Sequence, residues 1–270
     1  MIGSIAGDII GSKYEFHNIK NEDFELFSDD CTFTDDTVLT VATADTILDK
    51  DSYSKYYHDY GNSFANRGYG GTFAQMLKNS SLKPYNSYGN GSAMRVSPVG
   101  FAYNSIDEIL KESKRSAEVT HDHPEGVKGA QAVALSIYLA RKQVDKKEIK
   151  DTVEKMGYDL SKKVNDFSRK FDVTCQGTIP RVMAIFMETD NYEKAIRKSI
   201  AMGGDVDTIA CIVGGICQAY YGMPSREIVE EVYKRLPKHL AKITTNFTKK
   251  YIDHDFIEPC EIGTDGAANL

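Results

Sequence analysis

Residues 208–221 are apolar on nearly every face, and only a helix at the centre of a bundle buries a surface of that kind. Five other segments carry apolar residues at three- and four-residue spacing, which is typical of amphipathic helices. They are 106–119, 126–142, 148–171, 192–201 and 226–236. Pro237 interrupts the last one, and we expect a further helix after it. Alternating strand patterns are missing, so the sequence predicts an all-α fold: a single compact domain of many helices.

The composition is that of an ordinary globular protein. The 270 residues include 33 Lys+Arg and 39 Asp+Glu, a net charge of −6, which predicts no strong nucleic-acid footprint. No linker, repeat or apolar run of membrane-spanning length occurs in the chain, so we expect no membrane partner. We predict one domain over residues 1–256 and a C-terminal tail over residues 257–270.

The first residues lack the basic and apolar pattern of a signal peptide, and the five cysteines are odd in number and widely scattered. We therefore expect a cytoplasmic protein with reduced thiols. Cys211 and Cys217 lie in an apolar stretch and are predicted core residues. No exposed apolar stripe favours a dimer, so a monomer is expected.

Two features of the first hundred residues are not explained by helical periodicity. Gly3, Gly7 and Gly11 recur every four residues, which predicts a face on which another element packs closely. Residues 52–97 are rich in Gly, Asn, Ser and Tyr, which predicts more loop than a compact domain needs for its connections. Long ordered loops commonly line functional sites.

Two short acidic clusters each precede an apolar helical segment. Their residues are Thr34, Asp35, Asp36, Asp205, Asp207 and Thr208. For either cluster alone, helix capping by Asp and Thr is a sufficient explanation. If the clusters meet in the fold, their carboxylates repel one another, and protonation or a cation must relieve the repulsion. These hard oxygen donors favour Mg²⁺, Mn²⁺ or Ca²⁺ over Zn²⁺ or Cu²⁺.

A third candidate is the stretch 89–95, whose two glycines flank an asparagine. Its backbone N–H groups and the Ser92 hydroxyl could converge on an anion, although a tight turn explains the same residues. His121 and His123 are candidate ligands or bases, with a surface turn as the alternative. Glu15 follows the glycine-containing segment, where a solvated side chain is the alternative.

Six motifs follow one another along residues 2–221. They are Gly7-Asp8 with Gly11, Tyr14-Glu15, Thr34-Asp35-Asp36-Thr37, Gly89-Asn90-Gly91-Ser92 with Met94-Arg95, Thr120-His121, and Gly203-Gly204-Asp205-Val206-Asp207-Thr208-Ile209-Ala210. In this order they resemble the ADP-ribosylglycohydrolase family, which includes dinitrogenase reductase-activating glycohydrolase and the ADP-ribosyl-acceptor hydrolases. The resemblance implies an all-α domain with a central binuclear magnesium site, in which Mn²⁺ can replace Mg²⁺.

The resemblance also implies an activity: hydrolysis of the glycosidic bond between ADP-ribose and an acceptor, with release of ADP-ribose from an ADP-ribosylated substrate. The implied metal ligands are Thr34, Asp35, Asp36, Asp205, Asp207 and Thr208. The implied catalytic residues are Glu15, Asp36 and Asp205, and the implied substrate-binding residues are Asn90, Gly91, Ser92, Met94 and His121. Residues 16–31 would then form a lid.

Three functions stay open at this level: an active hydrolase, a non-catalytic relative that binds ADP-ribose or serves structurally, and a metal-dependent phosphohydrolase. A non-catalytic relative has no physical reason to keep four acids at a crowded centre, and all six implied ligands are present, which favours the hydrolase. A phosphohydrolase would leave residues 90–95 and Glu15 unexplained. The acceptor also stays open among arginine, serine, a nucleic-acid base and O-acetyl-ADP-ribose.

Overall fold

The computed structural model describes residues 1–259. The first seven α-helices are α1 (Ile2–Ser12), α2 (Asp35–Asp49), α3 (Tyr53–Ser63), α4 (Gly71–Met76), α5 (Gly91–Met94), α6 (Ser97–Ala102) and α7 (Ile106–Glu118). They are followed by α8 (Pro124–Arg141), α9 (Lys146–Lys155), α10 (Cys175–Glu188), α11 (Tyr192–Met202), α12 (Val206–Tyr221), α13 (Arg226–Arg235) and α14 (Lys238–Tyr251). Within residues 1–259 there is no strand, and one isolated bridge joins Gly89 to Thr174. The predicted all-α fold is confirmed.

Helices α1 and α12 pack against each other at the centre of the molecule, and residues 206–218 of α12 are all buried. Their close approach depends on glycine. A Cβ on Gly7 would lie 2.1 Å from the carbonyl oxygen of Ala210, and a Cβ on Gly11 would lie 2.4 Å from the Cα of Asp207. The predicted glycine packing face is therefore confirmed, and it sets the end of α1 against the start of α12.

The other helices surround this central pair. Helix α2 packs on α1, α3 and α14, while α8 packs on α12, α10 and the short helices α5 and α6. Helix α11 covers another side of α12. This arrangement buries α12 on all sides, as its apolar sequence predicts.

One predicted helix is wrong over most of its length. The periodicity predicts a helix over residues 148–171, but α9 ends at Lys155, and a 3-10 turn over Val164–Asp166 follows an irregular stretch. The helix stops because Gly157 adopts a φ of +95°, a left-handed conformation that is common just after a helix end.

Other helices were missed. The stretch 52–97, predicted to contain more loop than a compact domain needs for its connections, contains α3, in which Tyr53, Tyr57 and Tyr60 are buried at helical spacing. The apolar spacing does not predict helix α10. Its start nevertheless has a capping signal, since the Thr174 hydroxyl accepts a hydrogen bond from the Gly177 N–H. The apolar pattern is obscured in α3 because its buried residues are mostly tyrosines, and in α10 because Pro180 lies inside the helix.

The remaining expectations concern thiols, membrane and termini. The described cysteines, Cys31, Cys175, Cys211 and Cys217, are free and buried, which confirms the last two as core residues. Among the described helices, none has the length and apolar character needed to span a bilayer. Residues 260–270 of the predicted tail lie outside the described residues, and the domain boundary at residue 256 stays a prediction.

Candidate metal and substrate site

The first acidic cluster lies at the start of α2. The Thr34 side chain caps this helix, because its hydroxyl accepts a hydrogen bond from the Asp36 N–H at 3.3 Å. Asp36 is buried in the first turn, and half-buried Asp35 lines an adjoining cavity. Capping therefore explains Thr34 but neither of the two carboxylates.

The second cluster lies at the start of α12, where Asp205 makes no capping hydrogen bond with its side chain. Its carboxylate instead accepts a hydrogen bond from the side-chain amide of Asn90 at 2.7 Å. The Thr208 hydroxyl donates to the Asp36 carboxylate at 3.4 Å. The fold thus brings together two clusters that are about 170 residues apart in sequence, and capping does not account for their carboxylates.

Asp8 of α1 is a site residue that the set of candidate ligands did not include. It is fully buried between the clusters. Its carboxylate accepts hydrogen bonds from the Thr34 N–H at 2.9 Å, the Thr34 hydroxyl at 2.6 Å and the Thr37 N–H at 3.1 Å, and also from the Thr37 hydroxyl. The sequence signal for Asp8 is its position as the single acid in the otherwise uncharged segment 2–12.

The acids form two overlapping groups. Single oxygen atoms of Asp8, Asp36 and Asp207 all lie within 4.8 Å of one another, and the same holds for Glu15, Asp205 and Asp207. Asp207 belongs to both groups. One oxygen each of Asp36 and Asp207 is buried without a hydrogen-bond partner, and a buried unsatisfied carboxylate oxygen is costly.

The electrostatics of the site favour a cation. Burial, reinforced by neighbouring carboxylates, raises the pKa values of Asp36 and Asp207 well above the usual range, and Asp35 is raised in the same way. The pKa of Asp205 is also raised by burial, although hydrogen bonds from Asn90 and Thr208 oppose the shift. Protons or hard cations relieve such repulsion, so these oxygen donors fit Mg²⁺ or Mn²⁺.

Glu15 lies in the turn after α1, at the edge of the acidic site. Its side chain is half-buried. Burial, and then the charges of Asp205 and Asp8, raise its pKa to about 7. Glu15 is therefore not an ordinary solvated acid, and near neutral pH it can both hold and release a proton.

The acids line a cavity of about 390 Å³. Three of the predicted substrate-binding residues from residues 89–95, namely Asn90, Gly91 and Met94, line it together with His121. Ser92 does not. Its hydroxyl is buried and donates to the carbonyl oxygen of Gly126 at 2.7 Å, so the structure does not bring this side chain to the cavity.

The 89–95 stretch differs from the predicted anion nest in one further respect. The Asn90 N–H donates to the carbonyl oxygen of Val173 at 2.7 Å, so it is engaged within the protein. The Asn90 side chain instead points to the acids, where it bonds Asp205. Asn90 thus connects Asp205 to the glycine turn.

His121 is buried against this turn. One ring nitrogen hydrogen bonds with the Thr120 hydroxyl at 2.7 Å, and a Cβ on Gly91 would lie 3.3 Å from the other. Burial, and then the nearby Arg95 charge, lower the pKa of His121 well below its usual range, so the ring is neutral. His123 has a structural role, since its ring accepts a hydrogen bond from the Glu125 N–H and caps α8.

Arg95 also lines the cavity, although it does not belong to the predicted substrate-binding residues. It is buried and stacks on the Tyr57 ring, 4.1 Å from guanidinium carbon to ring centroid. It donates to the Ser116 carbonyl oxygen at 2.8 Å and to the Thr120 hydroxyl at 3.0 Å. Arg95 thus adds a buried cation to the lining of the cavity that the acids also line.

The predicted lid, residues 16–31, forms no helix or strand. Within it only Phe16 lines the cavity, where it stacks on Phe171 with ring centroids 5.9 Å apart. The Arg197 side chain holds the segment by donating to the carbonyl oxygen of Phe24 at 2.6 Å. Opening of this segment stays a prediction.

The fold and site define an all-α protein with a buried acidic centre that is suited to hard cations and lines a cavity. The chain belongs to the ADP-ribosylglycohydrolase family, whose model matches residues 1–255. This confirms the family resemblance that the motifs indicated, and the family is one of glycohydrolases.

Named relatives agree with this assignment. The chain is 26% identical over 308 residues to the ADP-ribosylhydrolase ARH3 of Mus musculus, covering 83% of both chains. It is 26% identical to the human protein of that name, covering 83% of this chain and 84% of the other. It is also 24% identical over 284 residues to the ADP-ribosylarginine hydrolase Tri1 of Pseudomonas putida, covering 90% and 75%.

A solved structure shares the fold. It is described as an ADP-ribosylglycohydrolase-related protein complex and superposes with a TM-score of 0.69 at 17% sequence identity. The superposition covers 92% of this chain and 95% of the other. The helix arrangement around α1 and α12 is therefore a known one.

Proposed function

We propose that this protein is a Mg²⁺-dependent hydrolase that cleaves the glycosidic bond between ADP-ribose and an acceptor and releases ADP-ribose. The observation that carries the proposal is the convergence of the two acidic clusters on one cavity, which the Asn90-Gly91 turn and His121 also line. Family membership supports the reaction class.

In this proposal six residues would hold two Mg²⁺ ions, and Mn²⁺ would serve in their place. They are Thr34, Asp35, Asp36, Asp205, Asp207 and Thr208. The bound ions would supply Lewis-acid polarisation of ribose hydroxyls and of the attacking water. The unpartnered carboxylate oxygens of Asp36 and Asp207 support this assignment.

Asp8 has a different role in the proposal. Both of its oxygens already accept hydrogen bonds from Thr34 and Thr37, so Asp8 orients the first turn of α2 instead of ligating an ion. Support of this kind for metal-binding side chains is a common feature of metal sites. Asn90 does the same for Asp205 through its 2.7 Å hydrogen bond.

The chain's own residues would then carry the proton transfers and the substrate contacts. Glu15, with a pKa of about 7, would take a proton from water or give one to the leaving acceptor. Asp36 and Asp205 would be the other catalytic residues, each through the charge it places beside the anomeric carbon. Neutral His121 and the backbone at Gly91 would contact the ribose-phosphate part, and Arg95 would balance the diphosphate charge.

The test is release of free ADP-ribose from arginine-linked, serine-linked and nucleic-acid-linked substrates and from O-acetyl-ADP-ribose. Each substrate is assayed with Mg²⁺, with Mn²⁺ and with EDTA. We expect release from at least one substrate, its loss in EDTA and its return with Mg²⁺. The linkage that is cleaved identifies the acceptor.

Other products would contradict the proposal. Release of AMP and ribose phosphate would identify a phosphohydrolase, because the diphosphate and not the glycosidic bond is then cut. ADP-ribose binding without release from any linkage would identify a non-catalytic binding protein. Asp45→Asn is a matched control, since Asp45 is a buried acid of α2 that bonds to Tyr60 and belongs neither to the cavity lining nor to the two groups of acids.

A further inference from the structure

The Asn18 side chain joins two parts of the site that no helix connects. Its amide nitrogen lies 2.7 Å from the Tyr14 carbonyl oxygen, 3.0 Å from that of Glu15 and 3.2 Å from that of Gly204. Its amide oxygen accepts a hydrogen bond from the Gly204 N–H at 2.6 Å. Asn18 thus contacts the turn that carries Glu15 and the residue immediately before Asp205.

This tie opposes a repulsion within the site. Oxygen atoms of Glu15 and Asp205 lie within 4.8 Å of each other, and like charges at that distance push their backbone segments apart. Glu15 lies beyond the end of α1, in a turn without helical hydrogen bonds to hold it. Asn18 bonds to both segments, so it resists their separation.

A neighbouring contact strengthens the same junction. The Arg169 guanidinium donates to the Ile19 carbonyl oxygen at 2.5 Å and also to the carbonyl oxygen of Ala201. It therefore links the residue after Asn18 to the end of α11. The hydrogen bonds of Arg169 go to Ile19 and Ala201, whereas Asn18 bonds directly to the Glu15 backbone.

We propose that Asn18 is a positioning residue that holds the Glu15 carboxylate at the Asp205–Asp207 side of the site. This inference rests on the proposed function for its kinetic consequence and on the hydrogen bonds alone for its structural one. Asn18 is exposed, so its replacement leaves no cavity in the core and should not unfold the protein.

The experiment compares Asn18→Ala with Asn21→Ala. Asn21 is an exposed asparagine of the same segment, but its side chain bonds only to the backbone of Asp23. Misplacement of a catalytic group by about 1 Å costs on the order of 100-fold in rate, so we expect Asn18→Ala to lower kcat by about 10- to 100-fold. The KM, the Kd for ADP-ribose and the melting temperature should stay close to those of Asn21→Ala.

A double variant tests whether Asn18 acts through Glu15. If it does, Asn18→Ala added to Glu15→Gln lowers kcat no further than Glu15→Gln alone, since groups that act as a unit are not additive. Full additivity of the two losses would overturn the proposal. So would an Asn18→Ala variant whose loss lies entirely in KM or in ADP-ribose binding.

Trypsin cleavage after exposed Lys20 gives a readout that does not depend on activity. We expect Asn18→Ala to be cut there about 10-fold faster than Asn21→Ala, because the tether to Gly204 is lost and local opening becomes easier. Equal cleavage rates would refute the tether. If the wild-type protein released no ADP-ribose from any substrate, the proposed function would fail, while the cleavage comparison would still decide this inference.

Discussion

Asp207→Asn should affect the protein in opposite directions with and without a divalent cation. Asp207 is buried, belongs to both groups of acids, and has one oxygen without a partner. The substitution keeps the shape of the side chain and removes its charge. Without a cation it relieves repulsion, and with a cation it removes a shared ligand.

The distances set the size of the first effect. Two unit charges 4.8 Å apart, the upper limit within each group, repel by about 3.5 kcal/mol at an effective dielectric constant of about 20. Protonation already relieves much of this, because the pKa of Asp207 is raised well above its usual range by burial and then by Asp205. We therefore expect the metal-free variant to gain on the order of 1 kcal/mol, or roughly 2 to 4 °C in Tm.

The second effect has the opposite sign. A cation at about 100 times its Kd stabilises the wild-type protein by about 2.7 kcal/mol, or roughly 5 to 10 °C. In Asp207→Asn we expect less than about half of this shift, since a neutral amide oxygen replaces a shared carboxylate.

Thermal unfolding in EDTA and in saturating Mg²⁺ measures both effects, with Asp45→Asn as the control that keeps the full Mg²⁺ shift. A lower metal-free Tm in Asp207→Asn would show that the carboxylates do not repel in the folded state. An undiminished Mg²⁺ shift would show that Asp207 is not a ligand. Either result refutes the reasoning.

Three further predictions concern Glu15, helix packing and pH. Glu15→Gln should lower kcat with little change in the Kd for ADP-ribose measured by calorimetry; weaker binding at unchanged kcat would make Glu15 a substrate contact. Gly11→Ala should abolish the Mg²⁺-induced Tm shift, because the added Cβ would lie 2.4 Å from the Cα of Asp207 and displace it; a normal shift would contradict this packing. In EDTA, Tm should rise as pH falls from about 7 toward 4.5, because Glu15, raised from 4.5 to about 7, binds protons more tightly in the folded state. A Tm that is flat or falls over that range would contradict the raised pKa.

Much of the fold follows from local patterns. The three- and four-residue apolar spacing predicts α7, α8, α11, α12 and α13 with ends within about two residues, because a helix that buries one face must repeat its apolar residues at that period. The glycines at every fourth residue of α1 predict its close packing. Periodicity failed where a glycine with positive φ ended α9 and where tyrosines supplied the buried face of α3.

The motifs predicted the acids but not their arrangement. Whether Asp36 of α2 and Asp207 of α12 meet depends on how both helices pack on α1, and no local pattern contains that information. The same is true of Asp8. Its buried carboxylate has hydrogen-bond partners only because the fold brings the Thr34 and Thr37 donors to it. Ser92 shows the converse. Its place after Gly89-Asn90-Gly91 suits an anion site, but its hydroxyl donates to the carbonyl oxygen of Gly126.

The sequence by itself therefore determined the helical class, the family and the list of charged candidates, because these depend on residue type, order and spacing. The tertiary structure alone decided which carboxylates face one another, which oxygens lack a partner, and that Asn18 joins Glu15 to the residue before Asp205. The physical reason is that burial and mutual repulsion act across a few ångströms between residues nearly 200 positions apart in the chain, and only packing brings such residues together.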